Sequence, residues 1–381
     1  VAGAIAIGGP GAVFWMWVIA LLGASSAFVE STLAQLFKTR GKHSYIGGPA
    51  YYMEKGLKKR WMGVIFAVLI TITFGFAFNS VQSNTICAAF NSAFNISPEL
   101  MGLGITLLTI VIIFGGIHRI ASVSSVIVPI MALGYIVLAL FIVACNITKL
   151  PDVISLIVSN AFGIEQAVGG GVGAALMQGI KRGLFSNEAG MGSAPNAAAA
   201  AHVTHPAKQG LIQALGVFTD TLVICSCTAF IILFSGAYTS AQLDGIQLTQ
   251  VALNSEIGSI GGLFVAIAIL FFAYSSILGN YYYGEANIQF ITQKKWVVYV
   301  YRILVGGMVY FGSVASLKLV WNLADFTMAL MAICNLIAII LLGKYAFRLL
   351  NDYLSQKRNG IKSPTFHKGS MKDIEEDISC W

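Results

Sequence analysis

Gly179-Ile-Lys-Arg-Gly-Leu-Phe-Ser-Asn-Glu-Ala-Gly-Met-Gly-Ser-Ala-Pro-Asn196 places three charges and four glycines in the middle of a run otherwise apolar enough to cross a membrane. Gly183, Gly190 and Gly192 oppose an uninterrupted helix, because each interior glycine costs about 0.8–1.0 kcal/mol relative to alanine. Inside a bilayer, irregular backbone survives only where protein or a water-filled cavity satisfies its polar groups. The stretch is therefore expected to be a broken transmembrane helix that lines a binding site. The break leaves carbonyls free at one half-helix and N–H groups at the other, so a cation site and a carboxylate site lie side by side. An amino acid zwitterion with a coupling cation needs both.

The composition supports a membrane setting. The chain is 57% hydrophobic and 10% charged, with a mean hydropathy of +0.79, whereas soluble domains carry about 25% charged residues. Forty glycines in 381 residues suit close approach of transmembrane backbones. Cys87, Cys145, Cys225, Cys227, Cys334 and Cys380 show no paired spacing of a zinc or redox centre and read as packing residues. The net charge of +7 is not gathered into a basic patch interleaved with aromatics, which argues against a nucleic-acid partner and leaves the lipid bilayer as the macroscopic one.

Runs of about 20 apolar residues predict spans near 11–36, 62–90, 100–117, 121–146, a broken span over 166–200, then 208–235, 259–291, 296–316 and 321–346. Pro151 to Gly163 is too short to span and reads as an interfacial helix. Only nine apolar residues precede the Gly8-Gly9-Pro10-Gly11 break, so the chain is expected to begin inside a helix. Lys38, Arg40, Lys42, Lys55, Lys58, Lys59, Arg60, Arg119, Lys208, Lys294 and Lys295 fall on one side if spans alternate, with the lysines of the tail. By the positive-inside rule that side is cytoplasmic, in a multi-pass plasma-membrane protein. Residues 347–381 turn polar and are expected to form a disordered cytoplasmic tail.

Three clusters carry candidate chemistry. In the first, Lys181, Arg182 and Glu188 are costly within a membrane and mark function by default. The other reading is that Arg182 and Glu188 pair with each other or with backbone carbonyls and pin the break, which still lets them act as a gate latch. In the second, Asn79, Ser80, Gln82, Ser83, Asn84 and Thr85 suit either interhelical hydrogen bonding or a ligand. Gln82 stands out because a neutral amide both donates and accepts. In the third, Tyr274-Ser-Ser-Ile-Leu-Gly-Asn280 offers hydroxyls at Ser275 and Ser276 of the kind a sodium ion prefers, though paired serines also bond their own helix carbonyls. Glu30, Asp220, Glu285 and Asp325 are further ionisable groups, several expected at helix ends facing water, and His202 and His205 are expected at the interface.

Gly8-Gly-Pro-Gly-Ala-Val-Phe-Trp-Met-Trp-Val-Ile-Ala-Leu-Leu-Gly23, Gly47-Gly-Pro-Ala-Tyr-Tyr-Met53 and Lys181-Arg-Gly-Leu-Phe-Ser-Asn-Glu-Ala-Gly-Met-Gly-Ser-Ala-Pro195 together resemble the alanine or glycine:cation symporter family, also called sodium:alanine symporters. The resemblance runs over nearly the whole chain. It implies an all-α leucine-transporter-like fold of two inverted five-helix repeats with broken first and sixth helices. A transporter domain over 1–346 would then hold a first-repeat remnant (1–150) and a second repeat (164–346), followed by the tail.

The resemblance further implies a substrate contact at Gln82 and the sixth-span break at Phe185, Ser186, Asn187, Glu188, Ala189 and Gly190. It implies a sodium-binding hydroxyl pair at Ser275 and Ser276. Asn280 stands where some members carry a tryptophan over the substrate. The family's first-span Thr-Gly-Asn break would fall just before Val1, which makes the chain read as a fragment. The function implied is sodium-coupled symport of alanine or glycine by alternating access, with sodium as coupling ion and no enzymatic cofactor.

A proton-coupled transporter of the same fold is the nearest alternative, with Glu188 or a histidine as carrier. An ion channel would need a selectivity loop or ring-forming motif that the sequence does not show. An enzyme is not expected, since no nucleophile–base pair, His-Glu-x-x-His motif or carboxylate pair on one polar face stands out.

Overall fold

Long apolar runs become helices because a helix satisfies its own backbone inside lipid. The computed structural model describes residues 1–381 apart from 42–43, 116–117, 164–170, 241–242 and 244, and apart from the side chains of 118–127. The expected start of the broken span at 166–170, the end of the third span at 116–117, Lys42 and the Arg119 side chain lie outside the described residues.

A short α1 (Ala2–Gly8) leads to α2 (Gly11–Leu36), a hairpin of β1 (Thr39–Arg40) and β2 (Tyr45–Ile46), and α3 (Pro49–Lys55). The next span is α4 (Arg60–Ile72) and α5 (Asn79–Phe94), joined by a π-helical turn over Thr73–Phe78. Then come α6 (Pro98–Gly115), α7 (His118–Cys145), the lateral α8 (Leu150–Ala161), and the two halves of the broken span, α9 (Gly171–Asn187) and α10 (Ala194–Ala200). A second π-helical turn, Thr219–Cys225, joins α11 (Pro206–Phe218) to α12 (Ser226–Ser235). The chain closes with α13 (Gly245–Ile257), α14 (Ile260–Ile291), α15 (Lys295–Val314) and α16 (Leu317–Arg358). Among the described residues, eight helical stretches are long and apolar enough to cross a membrane, and each overlaps an expected span. The interrupted α9–α10 pair stands apart from them.

α2 packs along α11 and α9, α14 along α4 and α5, and α15 along α5 and α6. Glycine makes the α2 contacts possible. A Cβ at Gly179 would sit 2.4 Å from Trp15 Cβ, and one at Gly210 would sit 2.7 Å from the Phe28 carbonyl. The polar cluster of α5 divides by face. Ser80 Oγ donates to the Met308 carbonyl (2.9 Å), and Asn84 Nδ2 donates to those of Gly312 (2.9 Å) and Ala315 (2.8 Å). These residues stitch α5 to α15.

The tail departs from expectation. At 1.5 Å per residue the 42-residue α16 is roughly 63 Å long, about twice the ~30 Å hydrocarbon core, so its last turns stand clear of the bilayer. The segment beyond is ordered against the body: Phe366, Met371, Ile374 and Ile378 are buried in the main core cluster. The Phe366 N–H donates to the Thr204 carbonyl (3.0 Å) and Trp381 Nε1 to that of Gln35 (2.9 Å). Its average polarity conceals four well-placed apolar side chains. Lys38 lies between the Tyr45 and Trp381 rings, 4.2 and 4.3 Å from their centroids, and burial brings its ammonium down to about 8. His205 is fully buried rather than interfacial, with Nε2 3.0 Å from Asp352 Oδ2.

Candidate functional site

Helix α9 stays regular through Asn187, and the backbone then leaves it. Glu188, Gly190 and Gly192 adopt φ of 57°, 80° and 85° before α10 begins at Ala194. The left-handed conformation is costly for Glu188, of order 1–3 kcal/mol, so the surroundings must hold it. They do so with polar partners. Asn187 Oδ1 accepts from the Ala189 N–H (3.0 Å), and Glu188 Oε2 accepts from Ser193 Oγ (2.6 Å). Glu30 of α2 accepts from the N–H groups of Gly190 and Gly192, both at 3.1 Å.

Beside the break lies a cavity of about 920 Å³, bounded by α1, α5, α9, α14 and α16. Phe78, Val81, Gln82 and Thr85 reach it from one face of the α4–α5 span, as residues spaced by three and four on a helix do. Phe185, Ser186 and Glu188 enter from the broken span. Ser275, Ser276, Asn280 and Tyr283 enter from α14. Of the expected residues, Gln82, Phe185, Ser186, Glu188, Asn280, Ser275, Ser276, Lys181 and Arg182 therefore meet around one space. Asn280 is 5% exposed and its Nδ2 has no hydrogen-bond partner among the described residues. A buried donor left free beside a cavity invites an acceptor from a ligand.

Ser275 and Ser276 donate to the Phe272 carbonyl at 2.8 and 3.0 Å, which leaves their oxygen lone pairs as hard donors to a cation on the cavity side. Ser186 Oγ also donates to Asp220 Oδ2 (2.6 Å), presented by the second π-helical turn. Such turns recur at functional sites because they re-aim a helix face.

Several expectations are corrected. Arg182 and Glu188 do not form an ion pair with each other. Arg182 Nη2 donates to Asp325 Oδ1 and Oδ2 at 2.7 and 2.6 Å, Lys181 Nζ lies 3.3 Å from the same carboxylate, and the guanidinium stacks 3.8 Å over the Trp321 ring. Glu188 lies beyond the helix end and turns to Ser193 instead. Asn187, Ala189 and Gly190 are not among the cavity-lining residues. Asn187 Nδ2 donates to Thr221 Oγ1 (3.1 Å), because one further residue on α9 rotates its side chain about 100° from Ser186. Glu30 is completely buried rather than water-facing. Spacing offers no partner for Asp325, since its cations lie 143 and 144 residues away on another helix, and no sequence signal marks Trp321, one turn before it on α16.

A sequence profile of the sodium:alanine symporter family matches residues 1–368. The chain belongs to this family. It is a multi-pass membrane transporter of amino acid symporter kind, not an enzyme. It is 58% identical over 378 residues to the probable sodium/glutamine symporter GlnT of Bacillus subtilis (strain 168), covering 99% of this chain and 79% of that protein. It is 55% identical over 375 residues to the amino-acid carrier protein AlsT of the same organism, covering 98% and 80%. To the sodium/proton-dependent alanine carrier protein of Bacillus sp. (strain PS3) it is 36% identical over 380 residues, covering 95% and 85%.

Proposed function

We propose that this sodium:alanine symporter family member carries a small neutral amino acid, alanine or glycine, into the cell with sodium by alternating access. The observation that carries the reading is the cavity at the break, where Gln82, Ser186, Glu188 and Asn280 converge with the hydroxyls of Ser275 and Ser276. The free N–H and carbonyl groups of a broken helix suit the carboxylate and ammonium of a zwitterion. Sodium, as co-substrate, would bind through Ser275 and Ser276 and favour the substrate-binding state, so that its gradient drives uptake. Glu188 and Asn280 orient the amino acid, and the Arg182–Asp325 pair with Trp321 closes one end of the cavity. The leucine-transporter arrangement is supported by the pairing of α2 with α11, α4–α5 with α14 and α6 with α15, each an element of the first half meeting its counterpart in the second.

Two observations favour a broader substrate or ion. The name of GlnT points to glutamine, and an unpartnered Asn280 amide in a cavity of about 920 Å³ would accommodate a longer amide side chain. The name of the PS3 carrier adds protons to sodium. Binding of labelled alanine, glycine and glutamine to the purified protein, in sodium, lithium or choline chloride, tests the reading. Saturable binding that requires sodium is expected; binding indifferent to sodium and dependent on pH alone contradicts it.

A further inference from the structure

We infer that Glu30, which does not line the cavity, is the positioning residue that holds the broken span in its binding shape; this rests on the reading of the break as the substrate site. Glu30 sits in the interior of α2 at 0% exposure. Its Oε1 accepts from the Gly190 N–H at 3.1 Å, while Oε2 accepts from the Gly192 N–H at 3.1 Å and from Asn335 Nδ2 at 2.7 Å. Asn335 also donates to the Gly190 carbonyl (2.9 Å) and accepts from Tyr52 Oη. Two residues thus satisfy three backbone groups of the break and tie it to α2, α3 and α16 at once.

Every hydrogen-bonding atom that reaches Glu30 is a donor, so both carboxyl oxygens act as acceptors. Among the described residues no cation is paired with it. Its oxygens are met by backbone N–H groups that the break itself frees. An unsatisfied backbone N–H in a membrane interior is expensive, so these acceptors matter to the break. A neutral side chain could fill the same volume, but only a carboxylate offers one acceptor oxygen to each of two N–H groups two residues apart. Glu188 and Ser193 belong to the same irregular stretch, so the direction in which Glu188 enters the cavity depends on where Gly190 and Gly192 are held.

The test compares the full chain with Glu30→Gln and Glu30→Asp variants in two ways. Hydrogen–deuterium exchange of peptides covering 188–193 needs no ligand. Sodium-driven uptake of labelled alanine then separates KM from kcat. Glu30→Gln presents an amide NH₂ toward one of the two N–H groups; exchange at 188–193 is expected to accelerate about tenfold or more while the other spans stay put. KM is expected to rise about tenfold with kcat changed by less than about threefold. Glu30→Asp keeps the carboxyl group and is expected to fall between wild type and Glu30→Gln, and it decides the question if Glu30→Gln fails to fold. Unchanged exchange at 188–193, or a uniform rise along all spans with KM unaltered, overturns the inference. If the wild type takes up no amino acid, the symport reading falls and the exchange comparison alone decides the role of Glu30.

Discussion

Gln82 is a single neutral amide facing the cavity from α5, with no hydrogen-bond partner among the described residues. A donor and acceptor poised there for a ligand makes Gln82→Ala a test of binding rather than folding: KM for alanine is expected to rise about tenfold with an unchanged melting temperature, as measured by uptake kinetics and a thermal-shift assay. Ser276 answers a different question, because its oxygen faces the cavity while its proton is engaged by Phe272. Ser276→Ala is expected to raise the sodium concentration for half-maximal uptake by about tenfold if one oxygen ligand is lost, with the alanine KM at saturating sodium little altered. Gln82, Glu188 and the serine pair were legible from sequence because polar side chains inside apolar runs are conspicuous. The partner of Arg182 was not: one helix cannot show which carboxylate another helix brings to it, and Glu188, nearest in sequence, lies past the end of α9. Glu30 was visible as an ionisable group, but the backbone it supports was not.

The tail and the loop before α11 form a second polar junction. His205 Nδ1 accepts the Ala207 N–H (3.1 Å) while Nε2 meets Asp352, the pattern of a neutral ring capping α11. Burial, the larger influence, pulls His205 below the ordinary imidazole range against the opposing effect of Asp352. A lowered histidine pKa means that the unfolded chain binds more protons, so the contribution of this junction is full above about pH 6.5 and fades as pH falls below it. The melting temperature is expected to drop between about pH 7.5 and about pH 5.5, and His205→Asn, which keeps a capping acceptor without the titration, to flatten that drop. Deleting 360–381 removes four buried apolar side chains, each worth about 1.5–3 kcal/mol at most. A clear fall in melting temperature is expected; an unchanged one would mean the tail packs without stabilising. Average composition hid this element, because four apolar residues among lysines and acids read as a solvated extension until their partners are seen.

At the scale of the molecule, the apolar runs were enough to place the spans, since in lipid length and hydropathy decide which segments cross. The glycines and charges between Gly179 and Asn196 were enough to place the break. What could not be read was how helices far apart in sequence meet: α16 supplies both Asp325 to the cavity and Asn335 to the break, two contributions that depend entirely on packing. These parts converge on the proposal that the broken span is a site for an amino acid together with sodium. The most direct measurement is uptake of labelled alanine, glycine and glutamine into proteoliposomes holding the protein, with an inward sodium gradient, with equal sodium on both sides, and with a proton gradient alone. Saturable accumulation under the sodium gradient that collapses when sodium is equalised is expected; accumulation under the proton gradient alone, with none under sodium, would contradict the proposal.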